Sequence, residues 1–129
     1  MNKIIVEVSI GELLDKISIL EIKQGKIKDP EKLKFINNEY SILKNQLEKS
    51  VKSDEKLNNL YQSLKEINAK LWIIEDDKRQ CEKNKDFGEK FIKLSRDVHF
   101  LNDDRAKIKL EINNHTGSVI KEIKEYTNY

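Results

Sequence analysis

Residues 54–79 read DEKLNNLYQSLKEINAKLWIIEDDKR. Leu57, Leu60, Tyr61, Leu64, Ile67, Leu71 and Ile74 recur mostly at intervals of three and four, while most residues between them are polar or charged. That spacing places one apolar stripe on a helix and rules out a strand, whose side chains alternate every second residue. Ser53-Asp54-Glu55 stands just ahead of the stripe as its cap, and the pattern fades near Lys83 and Asn84.

The same reading extends in both directions. Upstream, Asp29 and Pro30 give an N-cap followed by proline at the first helical position. The stripe that follows is Leu33, Ile36, Tyr40, Leu43, Leu47 and Val51. Before it, Ser9 and Glu12 form a capping box for a helix from about Ile10 to Lys28, carrying Leu13, Leu14, Ile17, Leu20 and Ile27. Downstream, Asp86 and Glu89 repeat the capping-box pattern. Phe91, Leu94, Val98, Leu101, Ile108 and Ile112 then form a seam that stops near His115, with Gly117 as a left-handed C-cap. The expected fold is all-α, a four-helix bundle built from two long helical hairpins, one domain over residues 1–129. Residues 3–8 read as one short strand and residues 118–129 as either a last helical turn or a strand; as strands, the two segments would pair and protect each other's edges. The longer third and fourth helices are expected to extend past the bundle and meet a second copy in a homodimer.

Composition excludes several functions. The 25 basic and 23 acidic residues leave a net charge of +2, and the two signs are interspersed. Nucleic-acid binders segregate basic charge into a patch, so no nucleic-acid partner is expected. Glu7, Glu12 and Asp15 interrupt the opening Lys3-Ile4-Ile5-Val6 before a signal-peptide core can form, and no apolar run has bilayer length. Cys81 is the lone cysteine, which removes disulfide and cysteine-zinc frameworks and fits a cytoplasmic setting. The four glycines are isolated, so there is no phosphate loop, and no motif calls for a cofactor. His99 and His115 lie too far apart along one helix to share a ligand.

The chemistry concentrates in three polar clusters within the helical faces. Only Arg79, Arg96 and Arg105 of the 25 basic residues are arginine. An arginine kept in a lysine-rich chain suggests a need for the planar five-donor fork. Arg105 falls in the fourth-helix seam, seven residues from both Val98 and Ile112, where it must meet a carboxylate or a ligand. On the third helix Asn68, Trp72, Glu75, Asp76 and Arg79 make a stripe beside the apolar one. On the fourth, Asn102 and Asp103 precede Arg105. With a turn near residue 86, residue 72 lies level with about residue 100, so these clusters should meet. The first helix adds Asp15, Lys16 and Glu21, the last sharing a face with Leu14 and Ile17.

Three stretches, Val8 to Lys23, Leu71 to Arg79 and Asn102 to Lys109, together resemble a family of small bacterial and phage proteins classed only as a domain of unknown function. The resemblance spans nearly the whole chain. It implies a helical stand-alone protein, in places associated with surface-polysaccharide and glycosyltransferase genes, and no activity. On the family pattern Gly11, Glu12, Asp15, Lys16, Glu21 and Lys23 form one motif. Trp72, Glu75, Asp76 and Arg79 form a second, and Asn102, Asp103, Arg105 and Lys109 a third.

The leading expectation is a binding or accessory protein whose interhelical pocket takes an anionic or sugar-like ligand. Asp15, Lys16, Glu21, Trp72, Glu75, Asp76, Arg79, Asn102, Asp103 and Arg105 would line it. Two alternatives stand beside it. One is an enzyme acting on a phosphate ester or nucleotide through a divalent ion held by Glu75, Asp76 and Asp103. The other is an assembly protein whose charged clusters only set helix register.

Overall fold

The computed structural model describes residues 2–129, which form four helices. They are α1 (Ile10–Lys26), α2 (Pro30–Ser50), α3 (Glu55–Lys83) and α4 (Glu89–Thr116). The all-α bundle read from the sequence is therefore present, and no strand occurs among the described residues. Three starts are capped by the residues the sequence marks. Ser9 accepts from the Glu12 amide, Asp29 from the Glu31 amide and Asp54 from the Leu57 amide.

The fourth start differs from expectation. Gly88, not Asp86, is the N-cap of α4, and no side chain caps it. Asp86 instead accepts from the Gly88 amide at 3.1 Å, closing a local turn just ahead of the helix. A short aspartate side chain bonds the amide two residues on more readily than it waits for a helix to form. Lys85, with φ 54°, supplies the left-handed residue that ends α3, and Gly117, with φ 66°, ends α4 as predicted.

The shortest helix is the hub. The α1 backbone approaches all three other helices, α3 and α4 pair along their lengths, and the α2 backbone comes close only to α1. Leu13, Leu14, Asp15, Ile17, Ser18, Leu20 and Ile22 of α1 are buried, so this helix shows little of itself to water. The shared core joins Leu14 to Leu57 and Leu64 of α3 and Ile112 of α4, with Leu47 of α2 and its C-cap Val51 packed against it. At about 1.5 Å per residue α3 and α4 run some 40 Å, nearly twice α1. Their distal halves project past the hub, where Cys81 is the one buried residue and Ile73, Phe87 and Ile92 are exposed.

The predicted strand pairing of the termini does not form. Residues 118–129 run back along α4 instead. Glu122 reaches Lys109, while the Tyr129 hydroxyl donates to Asp103 and its ring packs edge-on against His99 and Phe100. Partners on α4 thus take the polar and aromatic groups of this tail. Residues 2–8 belong to no helix or strand and are exposed.

The α1–α4 contact depends on Gly11. A Cβ there would lie 2.6 Å from the Lys109 carbonyl oxygen and 3.0 Å from Asn113 Oδ1. The same Asn113 oxygen accepts the Gly11 amide at 2.7 Å, and Ser118 Oγ accepts from Ile10 at 3.1 Å. Gly11→Ala is therefore expected to lower unfolding stability by about 1–3 kcal/mol, since the obstruction is backbone. Gly25 has open space around it. Gly25→Ala should raise stability by roughly 0.5–1 kcal/mol, so the two substitutions move urea midpoints in opposite directions.

Candidate functional site

The buried polar centre of the protein is Asp15, whose exposure is 1%. Three elements deliver its partners. Arg105 of α4 meets it side-on as a fork, with Nε donating to Oδ1 at 2.9 Å and Nη2 donating to Oδ2. Asn68 of α3 donates to the same Oδ1 at 2.9 Å and to Ser18 Oγ at 2.8 Å. The Ser18 hydroxyl donates in turn to the Asp15 carbonyl at 2.7 Å. Lys109, one turn beyond Arg105, lies 4.0 Å from Asp15 and donates to Glu12 at 2.6 Å. No buried side-chain nitrogen or oxygen is left without a partner among the described residues.

The electrostatics follow from that geometry. Burial alone would push the Asp15 carboxyl up. The hydrogen bonds from Arg105 and Asn68, with the charges of Arg105 and Lys109, outweigh it and hold the group below the ordinary carboxylate range. The bond to Asp15 raises the Arg105 guanidinium in return, so both partners stay charged.

Beside this network lies a groove of about 430 Å³ between α1, α3 and α4. Ile19, Ile22 and Leu71 form its apolar wall with the half-buried Trp72, and Arg105 and Asn68 close its inner end. Glu75, Asp76 and Arg79 stand along its rim. Among the described residues these three make no side-chain hydrogen bond or ion pair, in contrast to the fully engaged Asp15.

The residues singled out by sequence therefore fall into separate places. Trp72, Glu75, Asp76, Arg79 and Arg105 share the groove, with Asp15 behind it. Asn102 contacts Arg105 at 3.4 Å but lines a second groove of about 610 Å³, between α4 and the tail, together with Asp103. Glu21 belongs to neither. Its carboxylate accepts from Tyr61 and, at 3.3 Å, from Tyr40, with Lys65 at 3.8 Å, tying α1 to α2 and α3. Lys16 is exposed on α1, outside both grooves. Glu75 and Asp76 do not converge with Asp103, and no group of three His, Cys, Asp or Glu residues among those described is placed to hold a metal ion.

Sequence reasoning missed Ser18, Asn113 and Ser118 as buried polar partners, and Ile19 and Ile22 as groove wall. Ile19 and Ile22 follow Asp15 by four and seven residues, the helical spacing that could have revealed them.

Fold and site together define an all-helical protein with a buried carboxylate–guanidinium lock and an adjoining mixed-charge groove. Residues 4–129 match the family of unknown function DUF6165, and the chain belongs to that family. Neither a curated protein nor a solved structure matches it. No described helix is long and apolar enough to cross a membrane.

Removing one partner of this lock leaves a buried charge uncompensated. Asp15→Ala is expected to cost about 3–5 kcal/mol in chemical denaturation. The pH dependence has a definite sign. The folded-state carboxyl lies below its ordinary value of 3.8, so below that pH the unfolded chain binds the proton first. The stabilisation is complete above this value and is lost as pH falls through the folded-state value. Asp15→Asn should flatten this acid limb of the stability profile.

Proposed function

We propose that the protein is a binding or accessory protein that takes a hydroxyl-rich, sugar-like ligand carrying an anionic group in the groove between α1, α3 and α4. One observation carries this reading. Arg79, Glu75 and Asp76 stand without partners around Trp72, whereas Arg105, which lines the same groove, is paired with Asp15. The arginine fork suits a phosphate or carboxylate, with two N–H donors directed in parallel. Two carboxylates on the same rim suit hydroxyl donors, and the indole supplies an apolar face for a ring. With Arg105 neutralised by Asp15, among the described residues the rim sets one free cation, Arg79, beside two carboxylates, Glu75 and Asp76. Such a rim favours a ligand with one anionic group among many hydroxyls over a polyanion.

Arg105 is held by Asp15 and contributes field and a rigid inner wall more than free donors. The buried Cys81 thiol supports a reducing, cytoplasmic setting.

Trp72 is the only tryptophan, so intrinsic fluorescence reads this groove directly. Titration with nucleotide sugars, sugar phosphates and nucleotides should change its emission for at least one class. The same compound at a hundred times its dissociation constant should add about 2.7 kcal/mol of stability in a thermal-shift assay. Arg79→Ala should weaken that binding by about tenfold or more while leaving the unliganded Tm unchanged. Silence across the panel, or equal binding by Arg79→Ala, rejects this reading.

A further inference from the structure

We infer that residues 3–8 of two copies pair as antiparallel strands about a two-fold axis through Ile5, joining the protein into a homodimer. The segment belongs to no helix or strand of the fold, and Ile4, Ile5 and Val6 are 90%, 82% and 69% exposed. These are β-branched side chains, which fit a pleated ribbon and are poorly suited to remaining in water. The tail is not their partner. Its Glu122 is bound to Lys109 and Lys124, and its Tyr129 to Asp103.

Charge complementarity selects a second copy and fixes the register. With Ile5 opposite itself, Lys3 of each copy faces Glu7 of the other, and Ile4 faces Val6. Two opposite-charge pairs then flank a β-branched pair, and the other face of the ribbon is wholly apolar at its centre. Cross-strand pairs of both kinds stabilise antiparallel sheets. A slip of one residue sets Lys3 against Val8 and Ile4 against Glu7, losing both ion pairs and burying charge against apolar groups. Parallel alignment sets like charges level with each other. A contact made by the same segment on each copy is also what two-fold symmetry requires.

A free two-stranded ribbon is marginal in water, so its root matters. Here each strand enters α1 through the capped Ser9, and the adjacent Ile10 amide is gripped by Ser118. Val119, 99% exposed and next to that serine, adds apolar surface at the root.

Sedimentation equilibrium of the full chain tests the inference through charge reversal. Lys3→Glu and Glu7→Lys should each raise the dimer dissociation constant by about tenfold or more, because each turns two attractive pairs repulsive. Carrying both reversals in one chain should restore it to within about threefold of wild type. Ile5→Lys should give monomer, with two like charges meeting at the axis. All four variants should keep the wild-type helical circular dichroism, since these side chains touch nothing in the fold that could collapse. A monomer at every concentration overturns the inference. So does a dimer indifferent to Ile5→Lys, which would put the contact elsewhere, such as the exposed Ile73 and Ile92 of the distal hairpin. Failure of the double reversal to recover association overturns it as well.

Discussion

A carboxylate buried at the centre of the shortest helix sets the terms for the rest of the structure. Asp15 cannot remain charged and 1% exposed unless several donors converge on it. Arg105 and Asn68 provide them from two different helices, so satisfying one side chain fixes α1, α3 and α4 in a single mutual register. The apolar stripes alone would allow sliding by a turn, since each offers equivalent apolar residues every three or four positions. A fork that must meet both oxygens of Asp15 does not allow it. Gly11 acts in the same direction at the other end of the contact, where backbone-to-backbone approach admits no side chain.

The helical periods, three of the four caps and the level at which α3 meets α4 were legible in the sequence. Counting outward from a turn near residue 86 puts Asn68 level with Arg105, and both bind Asp15. Rotation about each helix was harder to read than position along it. Glu21 lies six residues after Asp15, about 120° around the helix, and so faces Tyr40 and Tyr61. Asp103 lies two residues before Arg105, nearly opposite it, and opens to the tail. Polar residues close in sequence were grouped by chemistry, whereas a helix separates them by angle. The termini were misread for another reason. Strand propensity in residues 3–8 is real, but pairing needs a partner edge, and α4 had already engaged the tail.

The polar clusters divide into two kinds of work. The lock around Asp15, the carboxylate of Glu21 with its two tyrosines, and the Lys109 bridge between α1 and the tail each join separate elements. Their charges are spent inside the fold. Such networks usually contribute specificity of packing more than net stability, because desolvation offsets most of the attraction. The rim of the α1–α3–α4 groove joins nothing. Its charges lie on one helix and face a concave, partly apolar surface. Architecture accounts for the first kind and leaves the second without a role.

The arginines sharpen this division. A lysine serves most surface positions, and this chain uses lysine at nearly all its basic sites. Arg105 needs planarity and two directed donors to engage both oxygens of Asp15, which a single ammonium cannot do. Arg96 sets its guanidinium carbon 5.8 Å from the Phe100 ring centroid, a cation–π contact that Lys78 also makes with Phe91 at 5.9 Å. Of these two arginines, Arg105 thus uses geometry that lysine lacks. Arg79 is the third, and its fork has no matching carboxylate among the described residues. It stands beside Trp72 on a groove whose wall and rim combine apolar surface with unspent charge. If the chemistry that explains Arg105 also explains this arginine, the planar partner of Arg79 comes from outside the chain.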